Sequence, residues 1–241
     1  MKLIIIRHGD PDYEKDSLTE KGWREAALLC KKLVRTPADA YYVSPLGRAR
    51  DTASLTLQQL NLQAEVKDWL QEFAYMVKDP LTGEERLPWD LLPADWTKVP
   101  AYYDKDAFLD TPLMTSGNIR EKYQWVCREF DRLLAQHGYV REGMLYRAVS
   151  PNRKTLVFFC HFGLECVLLS HLLGCSPCVL WQGTAAAPTS ITTLNTEERQ
   201  EGIAVFRMAS FGDISHLYAG DEPPAFAARF CETYDNFDER H

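Results

Sequence analysis

Long apolar runs are missing from this chain of 241 residues. The run nearest the N-terminus, Leu3 to Ile6, is four residues long and gives way at once to Arg7, His8 and Asp10. A secretory leader needs an apolar core of about 7–15 residues and a membrane-spanning helix about 20, so neither is expected and the implied location is the cytoplasm. Basic charge is also scarce. The 27 Lys and Arg stand against 34 Asp and Glu, a net charge of -7. Broad binding to nucleic acid or to an anionic membrane calls for a basic surface and is therefore excluded as a leading class, although a local basic pocket is not. Repeats and low-complexity tracts are absent too. The seven cysteines are an odd number, so they do not all pair within one chain, and reduced thiols serve as small apolar residues. Cys175 and Cys178 have CxxC spacing, with Cys160, Cys166 and His171 near them in sequence. A structural zinc site calls for a second ligand pair downstream, and none follows. The expectation is no metal and no cofactor.

What is present reads as one globular α/β domain over residues 1–241. Leu3-Ile4-Ile5-Ile6 lacks the alternation of a half-exposed strand and implies one buried on both faces, with Arg7, His8 and Gly9 delivered at its C-terminal end. In open α/β sheets that edge is where ligands bind, and a cation beside an imidazole there makes a candidate anion site. Thr19 is placed as the N-cap of a helix whose buried face is expected to hold Trp23, Ala26, Ala27, Cys30, Leu33 and Val34. A second strand is predicted at Ala40–Val43, stopped by Ser44-Pro45, and a helix from Leu46 to about Leu60 puts Arg48 in its first turn. A cation opposes the dipole there, a misfit that makes sense if guanidinium and helix N–H groups face one bound anion.

A third strand at Ala64-Glu65-Val66 precedes Glu72. From Phe73 to Ser116 prolines and aromatics crowd together without periodicity; so aromatic a stretch is no disordered linker. It is expected to be an ordered insertion over the active-site edge, a lid, with a packing or dimer surface as the other reading. Helical periodicity returns from Ile119 to Gln136. Residues 138 to 153 are weakly patterned. Thr155–Cys160 then repeats the opening, a strongly apolar strand that delivers His161 to the same edge, followed by a helix from Leu164 to Leu173. Two late strands are expected at Ser190–Leu194 and Gly202–Met208, and a short amphipathic helix at Phe226–Phe237. The fold class is a three-layer α/β sandwich, a mostly parallel central sheet flanked by helices.

Arg7 with His8, Arg48 and His161 thus converge on one sheet edge. Two guanidinium forks suit phosphoryl oxygens, and two imidazoles divide the roles of nucleophile and donor. Arg7-His8-Gly9, Leu18-Thr19-Glu20-Lys21-Gly22, the run Ser44 to Ala53 and the later His161 resemble the histidine phosphatase superfamily, the phosphoglycerate-mutase-like fold. The resemblance implies that His8 attacks phosphorus and becomes a phosphohistidine. Arg7, Arg48 and His161 hold phosphoryl oxygens, and a carboxylic acid, best matched by Glu72, protonates the leaving oxygen; Glu84, Glu85 and Asp10 are its rivals. His161 is followed by Phe162 and only then Gly163, whereas the family often has Gly directly after this histidine. The implied activity is metal-independent hydrolysis of a small phosphorylated substrate, of the histidine acid phosphatase type. The alternatives are phosphoglycerate-mutase-type transfer, against which Glu72-Phe73-Ala74-Tyr75-Met76 lacks the expected basic residues, and a catalytically idle phosphate-ligand sensor. A thiol or zinc protein centred on Cys175 and Cys178 is a third, remote reading. A cysteine-dependent phosphatase does not fit, because Cys166 stands where the loop from Cys160 needs an arginine. The oligomeric state is open.

Overall fold

The computed structural model of the chain describes all residues but 81, 227–230, 237 and 239–241. At its centre eight strands lie side by side: β1 (Lys2–Arg7), β2 (Ala40–Val43), β3 (Glu65–Val66), β4 (Tyr139–Glu142), β5 (Leu145–Ala148), β6 (Thr155–Cys160), β7 (Ile191–Gln200) and β8 (Ile203–Asp213). Their order is β3-β2-β6-β1-β7-β8-β5-β4. The two most apolar strands, β1 and β6, occupy the middle, where both faces are covered. Side chains on alternate faces explain the two cores. Ile4, Ile6, Val157 and Phe159 pack under α1 (Glu20–Leu33) and α2 (Gly47–Leu60). Leu3, Ile5, Leu156 and Phe158 pack under α3 (Ile119–Gln136), α4 (Phe162–Leu173) and α5 (Pro177–Gly183). The expected three-layer α/β sandwich is the fold.

The sheet is wider and more mixed than the apolar pattern implies. Strands β3, β2, β6 and β1 are parallel, while β7, β8, β5 and β4 add an antiparallel half. Half of that extension comes from the weakly patterned segment 138–153, a hairpin whose strands are four residues each and turn at Gly143, φ +58°. Strands so short offer too few alternations to be read. Both strands of the late hairpin run further than expected at their C-terminal ends, to Gln200 and to Asp213, with the turn between Gln200 and Ile203.

Helix α1 is rotated from its expected face. Gly22 and Glu25 are buried and Trp23 is exposed, because the helix seats Gly22 against the Asp10 backbone, where a Cβ would lie 2.3 Å from the carbonyl oxygen. The Glu25 carboxylate accepts the Asp10 N–H at 2.9 Å, and burial pushes it up to about 7. Thr19 is the N-cap, its hydroxyl accepting the Gly22 N–H at 3.0 Å. Alanine at position 19 is expected to cost about 1 kcal/mol, lowering Tm by roughly 2–4 °C in a thermal melt. Cys175 and Cys178 flank another cap: Ser176 receives the Cys178 N–H at 3.2 Å and Pro177 opens α5.

Residues 73–116 fold as short helices and a two-residue strand pair, Val77–Lys78 with Glu85–Arg86. Their apolar side chains Phe73, Tyr102, Phe108, Leu113 and Met114 join the core beside α3, α4 and α5. Of the helix expected at 226–237, residues 227–230 and 237 lie outside the described residues, and residues 226 and 231–236 are not helical. No helix among the described residues is long and apolar enough to cross a membrane.

Candidate active site

Strand register brings the candidate residues together. Parallel pairing sets Arg7 opposite Cys160 and Phe159 opposite Val43, so His8 and His161 follow at one level of the sheet edge and Ser44 lies one residue before it, level with Arg7. The His8 and His161 rings lie 5.1 Å apart between centroids, tilted by 58°. Both are buried.

Three backbone contacts fix His8. Its N–H donates to the Cys160 carbonyl, its own carbonyl accepts from Thr189 N–H, and the N–H of Gly9 donates to Thr52 Oγ1 at 2.9 Å. Thr189 is β-branched and buried yet holds φ at +59°, a strained conformation of the kind that collects at functional sites. His216 backs it, with Nε2 3.0 Å from Thr189 Oγ1. The His8 Nδ1 atom lies 2.7 Å from the Gly9 carbonyl oxygen. A carbonyl only accepts, so Nδ1 carries the proton and Nε2 the lone pair. Burial first, then Arg7, pulls the imidazole down to about 3, leaving it neutral in the physiological range.

The cations surround this ring. Arg7 is buried, donates from Nη1 to the Ala186 carbonyl, and holds its guanidinium carbon 5.7 Å from the Phe162 ring centroid. Phe162, the residue that departs from the family pattern, thus packs against an arginine of the site. Arg48 stands in the first turn of α2 as expected, while Arg50 beside it is exposed. His161 Nε2 lies 2.8 Å from Ser44 Oγ, and burial, then His8 and Arg48, holds its imidazole well below the ordinary value. Arg48 Nε and His161 Nδ1 are buried without a hydrogen-bond partner, an arrangement that suits a bound anion.

Glu72 is also here. Its Oε1 accepts the N–H groups of Phe73 at 2.7 Å and Leu164 at 3.0 Å, so the carboxyl caps the N-terminus of α4, the helix that His161 opens. Burial raises its pKa, and these N–H groups and Arg7 oppose without cancelling it. The rivals are elsewhere: Glu84 and Glu85 are exposed, and the Asp10 carboxylate accepts from the Thr19 hydroxyl at 2.7 Å.

Several contributors escape a reading of the sequence. Ser44 reads from sequence as a strand stop and the head of the Ser44–Ala53 run, with no role of its own. Trp89 of the insertion and Glu72 both press on Gly163: a Cβ there would lie 2.8 Å from the Trp89 Nε1 and 2.7 Å from Glu72 Oε1. The one signal was the glycine itself. Gly163→Ala is expected to lower kcat/KM about 10- to 100-fold by displacing the carboxyl, with a melting curve showing the fold retained. Glu165, one turn into α4, is fully buried near Arg7, and burial pushes it up to about 7. Among the described residues no group of three or more His, Cys, Asp and Glu could hold a metal ion.

With this geometry in place, the sequence profile of the histidine phosphatase superfamily (branch 1) matches residues 3–208. The chain belongs to that superfamily. Solved structures of histidine phosphatases share its fold at low identity. Phosphoserine phosphatase from Entamoeba histolytica, a His-to-Ala variant with phosphoserine, is 19% identical with a TM-score of 0.61, covering 90% of this chain and 98% of its own. Mycobacterial glucosyl-3-phosphoglycerate phosphatase is 18% identical with a TM-score of 0.59, covering 88% and 98%. The alpha-ribazole phosphatase of Shigella flexneri is 22% identical with a TM-score of 0.54, covering 86% and 95%. No curated protein sequence matches this histidine phosphatase family member.

Proposed function

We propose that the protein hydrolyses a small phosphomonoester through a phosphohistidine on His8, without a metal. The observation that carries this reading is the fixed tautomer of His8: Nδ1–H is held by the Gly9 carbonyl, which leaves a neutral Nε2 with its lone pair among two arginines and a second histidine. His8 Nε2 forms a bond to phosphorus as the ester P–O bond breaks, and protonated Glu72 gives its proton to the departing oxygen. Glu72, now a carboxylate, then accepts a proton from the water that attacks the phosphohistidine, releasing phosphate and restoring His8. Arg7, Arg48 and His161 stabilise the charge on the transferring oxygens. The 73–116 insertion, through Trp89, closes the site beside Glu72 as a lid.

Mutase-type transfer is the weaker reading, because Phe73, after Glu72, is buried against Trp181 with ring centroids 5.6 Å apart and no cation occupies Phe73–Met76. The small phosphorylated molecules named for the structural neighbours set the chemical range of substrates to screen. The test is release of inorganic phosphate from an aryl phosphate and from such a set, with a chelator in excess. Turnover that persists under chelation is expected. A folded protein that releases none, or that shuttles phosphoryl groups within phosphoglycerate, overturns the proposal.

A further inference from the structure

The donors facing a phosphoryl group at Arg48 already have an anion beside them. Asp16 lies in the short loop between Pro11–Asp12 and Ser17–Leu18, two residue pairs that hydrogen-bond as a tiny antiparallel sheet. Its φ is +47°, a left-handed conformation that aspartate tolerates better than most residues. Ser17 anchors the loop to α2 through the Asp51 carboxylate at 2.6 Å. Gly47 is the matching requirement on the helix, for a Cβ there would lie 2.0 Å from the Asp16 carbonyl oxygen. Asp16 Oδ2 accepts the Gly47 N–H at 2.6 Å, and Oδ1 accepts from Arg48 Nη1 at 2.6 Å. A helix N–H and a guanidinium are the donor pair that reading Arg48 from sequence reserves for a bound phosphoryl group. Here a carboxylate of the chain occupies part of it.

The occupation is partial. Asp16 takes one guanidinium nitrogen and leaves Arg48 Nε buried and unpartnered. On the same loop Tyr13, 69% exposed, presents its ring 5.5 Å from the Arg48 guanidinium carbon. Asp16 is itself 43% exposed at the side chain, so it stands at the rim rather than in the floor of the site. Burial works against its charge, but the Gly47 N–H and Arg48 outweigh it and keep the carboxyl below its ordinary value.

We infer that Asp16 is a specificity-determining and positioning residue of the phosphoryl site, holding Arg48 by one nitrogen while its fixed negative charge limits the affinity of the site for phosphate dianions. This rests on the phosphatase reading. A substrate ester has further contacts available outside the phosphoryl group, whereas inorganic phosphate, the product, has none. The carboxylate therefore weakens product retention more consequentially than substrate capture.

The test is Asp16→Asn, which keeps the shape and an acceptor oxygen but removes the charge, with Asp16→Ser as a second neutral variant if the first melts early. Inorganic phosphate is the probe, measured by calorimetric titration and as a product inhibitor of aryl phosphate hydrolysis. Phosphate is expected to bind roughly tenfold tighter or more to the neutral variant at low ionic strength, and the gain is expected to shrink in high salt. KM for the aryl phosphate should fall by a smaller factor than the phosphate inhibition constant while kcat does not rise, a split that simple loosening of the loop does not produce. Phosphate affinity that is unchanged or weaker, or that is undetectable in both proteins, overturns the inference even where wild-type turnover is normal. Absent turnover in a wild type that binds phosphate, with the charge effect intact, overturns the phosphatase reading instead.

Discussion

Alanine at position 8 is expected to lower kcat/KM for a phosphomonoester by about 10⁴-fold or more, a loss of at least about 5.5 kcal/mol of transition-state stabilisation. The reason is that no neighbour can replace the nucleophile. His161 is 5.1 Å away between ring centroids, and its Nε2 is engaged with Ser44. The cysteines that flank His161 in sequence, Cys160 and Cys166, are buried and their thiols are pushed well up by that burial, so neither supplies a thiolate. Folding should survive, because the side chain contributes one hydrogen bond, to the Gly9 carbonyl, worth about 1 kcal/mol. His8 is neutral in both folded and unfolded chains above pH 6.5, and as pH falls from there toward about 3 only the unfolded chain takes up the proton, so the alanine variant should lose less stability on acidification. Steady-state kinetics with a thermal melt check this. Residual turnover within tenfold of wild type would move the nucleophile elsewhere.

The second large effect belongs to Glu72. Glutamine there is expected to cost about 10²- to 10⁴-fold in kcat for alkyl phosphates, whose leaving oxygen needs a proton. For an aryl phosphate with a good leaving group the first step should be nearly unaffected. The pH profile separates a proton donor from a structural cap. The Glu72 pKa is raised, so the acid form is present at low pH and lost as pH rises through that value, and the alkyl-phosphate rate should fall on the alkaline side. His8, pulled down to about 3, imposes no acid limb in the usual working range. In the glutamine variant the alkaline fall should vanish apart from the substrate's own ionisation, which both proteins share. A variant slowed equally on both substrates with an unchanged profile would reduce Glu72 to a cap of α4.

Much of this was legible because the informative residues are ones whose chemistry and position conflict with a bland reading. Arg7 and His8 end a strand too apolar for anything but the sheet interior, His161 ends the other such strand, and adjacency of the two follows from burying both. Arg48 betrayed itself by opposing the dipole of its own helix, although the structure shows an internal carboxylate beside it as well. What stayed hidden depends on distances between segments far apart in sequence. Gly163 matters because of Glu72 and Trp89, residues 91 and 74 positions earlier, and Glu25 is buried because Gly22 meets Asp10. The hairpin at 139–148 was missed for a different reason, being too short to show a period.

The pairing of β1 with β6 has one more implication. The amides of His8 and Ser44 donate to carbonyls of Cys160 and Phe159, in the most deeply covered part of the sheet. Hydrogen exchange at such positions proceeds only when the whole molecule opens. The candidate site is therefore expected to belong to the slowest-exchanging unit of the protein, while residues 73–116, with their two-residue strands and short helices, are expected to exchange sooner where their amides lie outside the core. If the insertion covers the site as proposed, warming is expected to expose the site to water before dismantling it, read as earlier exchange at 73–116 than at His8 and Ser44.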